Sequence, residues 1–296
     1  MQNWFKHIAR IFVANLLSFS AVGQDIQLTQ FYASPLYLNP AFTGANVCSR
    51  FTTNYRNQWP SIKKAYTTYA VSFDHSIPKL NSGIGFLATN DVAGTGGLRT
   101  TSFSGLYSYE AWINRKMAVR AGVQAGGTLR GLNFYDLVFA DQISRNNAPT
   151  TLEVPSFVNT FYFDISSGLL LYTKSYWFGV SAQHLTTPNQ SLLGGESYLP
   201  LKYSFHTGIN LPVGSGAFKK KKTESTNFIS PALNYRGQAK FDQLDIGFYY
   251  TYSPLVLGIW YRGIPIMKSY EPKFINQDAI AFILGLEVND FKFGYS

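Results

Sequence analysis

Histidine and cysteine are the residues of this sequence best suited to metal binding or nucleophilic catalysis, and they are few. His7 lies in an N-terminal segment that we expect to be removed, while His75, His184 and His206 lie on predicted strands or at strand ends with no second ligand at metal-binding spacing. The sequence contains no His-Glu-x-x-His, no paired cysteine motif and no Gly-x-Ser-x-Gly. We therefore expect no metal site, no cofactor and no enzymatic activity.

Two glycine-rich stretches imitate phosphate-binding loops. "GIGFLA" begins at Gly83 and "GTGG" begins at Gly94. The first lies in a predicted strand and not in a strand-to-helix turn, and the second is not followed by the start of a helix. We interpret both as structural glycines of a curved sheet and its turns.

A run of four lysines is the one dense block of charge, at Lys219, Lys220, Lys221 and Lys222. It could form an electrostatic docking surface for a periplasmic partner, or it could be a solvated loop, which is the more common meaning of an isolated charge run. The remaining positive charge is spread along the chain. Such a distribution disfavours nucleic acid as a partner.

The first residues have the pattern of a secretory signal peptide. Lys6 and Arg10 precede an apolar run that ends on Ala21 and Gly23, which have the small-x-small spacing of a cleavage site. The run is too short and too polar for a membrane helix. We expect residues 1–23 to be removed on export, and the single cysteine, Cys48, allows no intramolecular disulfide.

The composition is that of a transmembrane β-barrel. Charged residues make up 14% and aromatic residues 17% of the chain, whereas soluble domains average about 25% charged residues. No later segment is long and apolar enough to be a membrane helix. In barrels, lipid-facing and lumen-facing side chains alternate and cancel in any window average.

Alternating polarity marks thirteen predicted strands, because successive side chains of a strand point to opposite faces. In the first strand, Phe51, Tyr55 and Trp59 share one face while Arg50 and Arg56 share the other. The predicted strands are Arg50–Trp59, Tyr66–Asp74, Gly83–Asn90, Leu98–Tyr109, Lys116–Gly131, Thr160–Tyr172, Tyr176–Leu185, Leu201–Leu211, Asn227–Tyr235, Phe241–Tyr252, Leu255–Arg262, Asp278–Val288 and Phe291–Tyr295.

The connections between these strands are asymmetric. Tight turns at 173–175, 253–254 and 289–290 fall on one side, and the long segments 133–159, 187–200 and 263–276 fall on the other, as in outer-membrane barrels. A closed bacterial barrel needs an even number of strands. We therefore expect an all-β transmembrane antiparallel barrel of about 14 strands over residues 50–296, with the last strand missing from the sequence or missed here.

Basic residues gather on the polar faces, which we expect to line the lumen. They are Arg56, Arg120, Arg130, Lys202 and His206. Such a lumen would favour anions, unless a plug neutralises it. The sequence leaves both alternatives open.

Residues 24–49 precede the first strand and contain "SPLYLNPAFTG". Pro35 and Pro40 lack backbone donors and suit an extended lead-in better than a central strand. Leu36, Tyr37 and Phe42 are too apolar for a free linker. We expect this segment to be a periplasmic lead-in or plug that packs into the barrel mouth, with contact to a partner there as the alternative.

Several segments, in this order, resemble one known family. They are "QFYASPLYLNPAFTG", "NYRNQWPSI", "TTYAVSFDH" and "TTSFSGLYSYEAWINRKMAVRAGVQAG", and the likeness to the PorP/SprF proteins of the type IX secretion system covers the chain from about residue 24 onward. The family-motif positions, with a structural or partner-contact role, are Pro35, Leu36, Tyr37, Asn39, Pro40, Asn54, Tyr55, Arg56, Gln58 and Trp59.

The resemblance implies a non-enzymatic outer-membrane barrel that assists export or surface anchoring of a secreted adhesin or other cargo. Its partners would be type IX secretion components, the cargo and outer-membrane lipid. An alternative is a general diffusion porin or small-molecule transporter of the same architecture. A third hypothesis is a soluble β-sandwich enzyme. The sequence indicates no particular cargo and no cargo-binding residue.

Overall fold

A computed structural model describes residues 25–61, 65–94, 97–133, 137–146, 148–152, 159–213, 227–239, 241–263 and 279–296. The expected signal peptide and Lys219 to Lys222 lie outside these residues. The described part is dominated by strands, with two short helices, α1 (Pro35–Leu38) and α2 (Ala140–Ser144). No described helix is long and apolar enough to cross a membrane.

One antiparallel sheet contains all the strands. They are β1 (Arg50–Gln58), β2 (Tyr66–Ile77), β3 (Ser82–Ala93), β4 (Leu98–Asn114), β5 (Met117–Gly131), β6 (Asn159–Tyr172), β7 (Tyr176–Gln183), β8 (Lys202–Ile209), β9 (Leu211–Pro212), β10 (Asn227–Gln238), β11 (Phe241–Tyr252), β12 (Leu255–Gly263), β13 (Ala279–Val288) and β14 (Phe291–Tyr295). Neighbours in the sheet follow chain order, except that β8 pairs with β10 and the two-residue β9 pairs with β10 beside it.

The predicted antiparallel fold is confirmed, and all thirteen predicted strands are present. The sheet has fourteen described strands because the predicted strand Leu201–Leu211 is divided into β8 and the two-residue β9. Among the described residues β1 and β14 are not paired with each other, and the sheet is therefore not closed.

Several predicted strand ends are wrong: β2, β3 and β10 each continue three residues further than predicted. Two other differences have a visible cause. β4 continues past Tyr109 to Asn114, and the charged Glu110 in this extension forms an ion pair with Arg120 on β5. β7 ends before Leu185, because His184 has a left-handed backbone with φ 61°. Both causes involve contacts or backbone angles that alternation does not report.

The sheet is apolar outside and polar inside. On β1, Phe51 and Tyr55 are 68% and 61% exposed, whereas Ser72 and Asp74 on the neighbouring β2 are 3% and 1% exposed. This arrangement inverts the pattern of soluble sheets. It is the pattern of a membrane barrel, whose outer face contacts lipid.

Connections define two ends of the sheet. The turns after β2, β4, β6, β11 and β13 lie at one end, which we call the turn end, because alternate connections of an antiparallel sheet share an end. The segments after β1, β3, β5, β7, β10 and β12 lie at the other, which we call the loop end. Parts of the long loop-end segment after β5, and all of the one after β12, lie outside the described residues. For these two segments the predicted asymmetry rests on their length in the sequence.

Candidate functional site: an N-terminal segment inside the sheet

Residues 25–44, which we call the plug, run along the concave inner face of the sheet from the loop end to the turn end. They contain α1 and two single 3-10 turns, Phe31–Ala33 and Pro40–Phe42. Pro35 and Pro40 lie at the first positions of α1 and of the second 3-10 turn, where no backbone donor is needed. Leu36 and Ala41 are completely buried. The plug is therefore part of the protein's core.

Asn39 joins the plug to the middle of the sheet. Its Nδ2 donates to the carbonyl oxygens of Leu169 on β6 (3.1 Å) and Val180 on β7 (3.0 Å), and it lies 3.1 Å from Nε2 of His206 on β8. Its Oδ1 accepts from the backbone N–H of Ala41 at 2.8 Å. Asn39 is fully buried, so a single amide connects three strands to the plug.

Thr43 forms a second connection, near the turn end. Its carbonyl oxygen accepts from Ser108 Oγ on β4 at 2.6 Å and from Arg120 Nη1 on β5 at 2.8 Å. Arg120 also forms an ion pair with Glu110, which accepts a hydrogen bond from the hydroxyl of Tyr172. Arg120, which the sequence places on a polar face of the wall, thus forms its contacts with the plug and Glu110 inside the core.

Asp74 holds the plug's last residue. Its Oδ2 accepts from the backbone N–H of Gly44 at 2.8 Å, and its Oδ1 accepts from Arg50 Nε at 2.9 Å. The carboxylate is 1% exposed. Gly44 has φ 63°, which a residue with a side chain rarely adopts. This junction orients the chain as it leaves the plug and enters β1.

Glycines on the strands make room for the plug backbone. A side chain at Gly83 would overlap the carbonyl of Thr43, and one at Gly122 would overlap the peptide between Pro40 and Ala41. The close approach explains why these strand positions carry no side chain.

Apolar contacts complete the fit. Leu36 packs with Leu87 and Leu106, and Phe31 packs with Trp260 at a ring-centroid distance of 4.9 Å. Burying an aliphatic side chain of this size contributes about 1.5–3 kcal/mol. The plug is held by hydrophobic burial as well as by hydrogen bonds.

Asp25 anchors the plug at the loop end. Its Oδ2 lies 2.7 Å from His184 Nε2 and 3.1 Å from Lys202 Nζ, and Asp164 Oδ2 lies 2.7 Å from His184 Nδ1. Burial alone would lower the pKa of His184, but hydrogen bonds to the two carboxylates raise it to about 9. The ring is therefore protonated at neutral pH and bridges Asp164 to the plug.

The family-motif residues divide between two places. Pro35, Leu36, Tyr37, Asn39 and Pro40 lie within the plug, where the Tyr37 hydroxyl donates to the Ile26 carbonyl at 2.7 Å.

On β1 the same motif alternates between the two faces. Asn54, Arg56 and Gln58 point inward, and Arg56 donates to the Gln27 carbonyl of the plug. Tyr55 is exposed outside, and Trp59, just past the strand, is 55% exposed.

Sequence reasoning missed Asp74, Gly168 and His184 as plug contacts. The signal for Asp74 was available, because it is a lone carboxylate on the polar face of β2 beside Arg50 in the neighbouring strand. Among the described residues no group of three or more His, Cys, Asp or Glu could hold a metal ion. The described contacts of Asp74 and His184 hold the plug against the inner face of the sheet.

Comparison with known proteins decides the family. The family model described as type IX secretion system membrane protein PorP/SprF matches residues 20–296. The chain belongs to the PorP/SprF family. This confirms the resemblance carried by the plug and β1, and PorP/SprF proteins are membrane proteins of that secretion system by the family's description.

Other comparisons add little. A search of the curated proteins found no match. Among solved structures, the chain is similar to BamA from Haemophilus ducreyi lacking POTRA domains 1-3, with 8% sequence identity and a TM-score of 0.38. That match covers 83% of this chain and 60% of the BamA chain.

Proposed function

We propose that this PorP/SprF protein is a non-enzymatic outer-membrane barrel that assists the type IX secretion system in exporting or anchoring a secreted adhesin or another cargo. Family membership over nearly the whole chain is the observation that carries the proposal. The apolar, aromatic outer face, with residues such as Phe51 and Tyr55, fits a lipid environment.

The orientation follows from the connections. Short turns of outer-membrane barrels face the periplasm, so the turn end, with Thr43 and Gly44, would face the periplasmic secretion components. The loop end would face the cell surface. In this orientation the plug crosses the interior from the surface side to the periplasmic side.

The plug favours a secretion accessory over a diffusion porin. A porin needs a water-filled path, whereas here Leu36, Asn39 and Thr43 are fully buried against the inner face of the sheet. Removing Asn39 and Thr43 would break hydrogen bonds to five strands, β4 to β8. An interior filled by the plug therefore suits a supporting barrel that is blocked to diffusion.

Deletion of the gene, followed by quantitative proteomics of the cell surface and the medium, tests the proposal. Loss of one adhesin would indicate a dedicated cargo, and loss of all type IX substrates would indicate a core component. Complementation with the full chain is the control. An unchanged set of surface and secreted proteins would contradict the proposal.

A further inference from the structure

A cavity of about 990 Å³ lies at the loop end, above the plug. Its floor includes Asp25, Gln27 and Tyr37 of the plug, and its wall is formed by the loop-end residues of the strands. Ligand pockets span about 300–1,000 Å³. The cavity is therefore large enough for a small molecule and is separate from the buried plug contacts near the turn end.

Besides His184, which bridges Asp25 and Asp164, five basic side chains line this cavity, and they are Arg56, Arg130, Lys202, Arg236 and Arg262. Lys202 is paired with Asp25. The four guanidinium groups are on four different strands, β1, β5, β10 and β12. The sheet, and not a flexible loop, fixes their positions.

The guanidinium groups of the cavity outnumber the carboxylates that form ion pairs with them. Arg236 and Arg262 share one carboxylate, Asp245, at 3.1 and 2.9 Å. Arg56 donates to the carbonyl of Gln27 and Arg130 to the side chain of Gln190, both uncharged acceptors. Arg56, Arg236 and Arg262 line the same cavity, so their like charges repel one another.

The acidic residues of the cavity offset this charge in part. Asp91 acts on Arg56 through space and accepts from Thr68 Oγ1 at 2.5 Å. Asp242 accepts from the hydroxyl of Tyr235 at 2.9 Å. Asp25 is already bound by Lys202 and His184. The side of the cavity formed by Arg56, Arg236 and Arg262 keeps a local excess of positive charge.

Guanidinium groups bind phosphate through paired, charge-assisted hydrogen bonds, and three of them lining one cavity suit a phosphate group better than a single carboxylate. Gln58, Gln238 and Gln243 add neutral polar groups to the wall.

We propose that this cavity is a binding site for a small phosphate-bearing molecule, held mainly by Arg56, Arg236 and Arg262. The site is formed by the interior of the sheet, away from the apolar outer face, so the ligand is a soluble molecule entering from the loop end. The proposal does not depend on the secretion role, because an accessory barrel and a porin could each contain the site.

Titration calorimetry of the full chain in detergent, with inorganic pyrophosphate as the probe, tests the proposal. We expect saturable binding that weakens as salt is raised, because the attraction is electrostatic. Arg56→Gln and Arg262→Gln should each weaken binding by about tenfold or more. Lys292→Gln removes an equal charge from an exposed ion pair outside the cavity and should leave binding unchanged.

Arg262 contacts the buried Asp245, so its variant could fold poorly. Arg56 donates to the uncharged backbone carbonyl of Gln27, and Arg56→Gln then decides the question. Circular dichroism and the electrophoretic shift on heating verify the fold of each variant. Absence of saturable binding by the unaltered chain, or equal affinity in Arg56→Gln and Lys292→Gln, would overturn the proposal.

Discussion

The side-chain oxygen of Asn39 occupies the space that a side chain at Gly168 would need. The plug and β6 therefore fit together only because residue 168 is a glycine. Since Asn39 is fully buried and bonded to two other strands, it has no free space to move into.

Gly168→Ala should therefore destabilise the protein by about 1–3 kcal/mol, the usual cost of an overpacked core. Denaturant unfolding of the refolded protein in detergent measures the change. Gly105→Ala is the matched control, because a side chain added at Gly105 on β4 meets open space. Equal stability of the two variants would show that the plug does not press against β6.

Asn39→Leu should destabilise the protein, because it replaces a hydrogen-bonding side chain with an apolar one. It leaves the carbonyls of Leu169 and Val180 and the N–H of Ala41 without their side-chain partner. Each buried group left unpaired costs about 1–3 kcal/mol. Asn189→Ala, at an exposed loop position, is the control. A protease accessibility assay should show faster cleavage within the plug in Asn39→Leu alone, and unchanged protection would contradict this role.

Asp74→Asn should strongly weaken the junction between plug and β1. Breaking a buried ion pair leaves one charge uncompensated and costs about 3–5 kcal/mol. Here the remaining charge is on Arg50, and the cost is lower because Arg50 is partly exposed. Glu287→Gln removes the acid of the exposed pair with Lys292, which should contribute about 0–1 kcal/mol. Unfolding free energies measured side by side test the contrast. A larger loss in Glu287→Gln would be incompatible with it.

The Asp25–His184–Asp164 cluster should make stability fall at alkaline pH. The folded-state pKa of His184 is raised to about 9 from 6.5, so the folded protein holds a proton that the unfolded chain releases. The stabilisation is complete below pH 6.5 and is lost as pH rises through about 9. It amounts to on the order of 1–3 kcal/mol.

Thermal unfolding between about pH 6 and about pH 10 measures this loss. His184→Gln should remove the part of the pH dependence that belongs to the cluster, and every other titratable group is the same in the two proteins, so their difference isolates it. Identical pH profiles for the two proteins would mean that the proton on His184 does not stabilise the fold.

Alternation made the wall of this protein predictable. Phe51 and Tyr55 face out while Arg50 and Arg56 face in, and the same two-residue period marks the other twelve strands. Tertiary contacts altered only the ends, as at Glu110 and His184. Local polarity carries this information because a barrel wall separates lipid from interior along its whole length.

The contacts of the plug could not be predicted in the same way. Pro35 and Pro40 excluded a central strand, but nothing near Asn39 in sequence reveals its bonds to Leu169 and Val180, which lie more than a hundred residues away. The sequence likewise placed Arg120 on a polar face, but its contacts with the Thr43 carbonyl and Glu110 could not be predicted from that position. Such partners are set by how the sheet curves around the segment.

Conductance of the purified full chain in planar lipid bilayers most directly tests the central claim, that the plug closes the barrel of a secretion accessory. The account predicts no steady current from the unaltered protein and channel openings when residues 25–44 are deleted. A steady, open, anion-selective current from the unaltered protein would contradict it and would favour a diffusion porin.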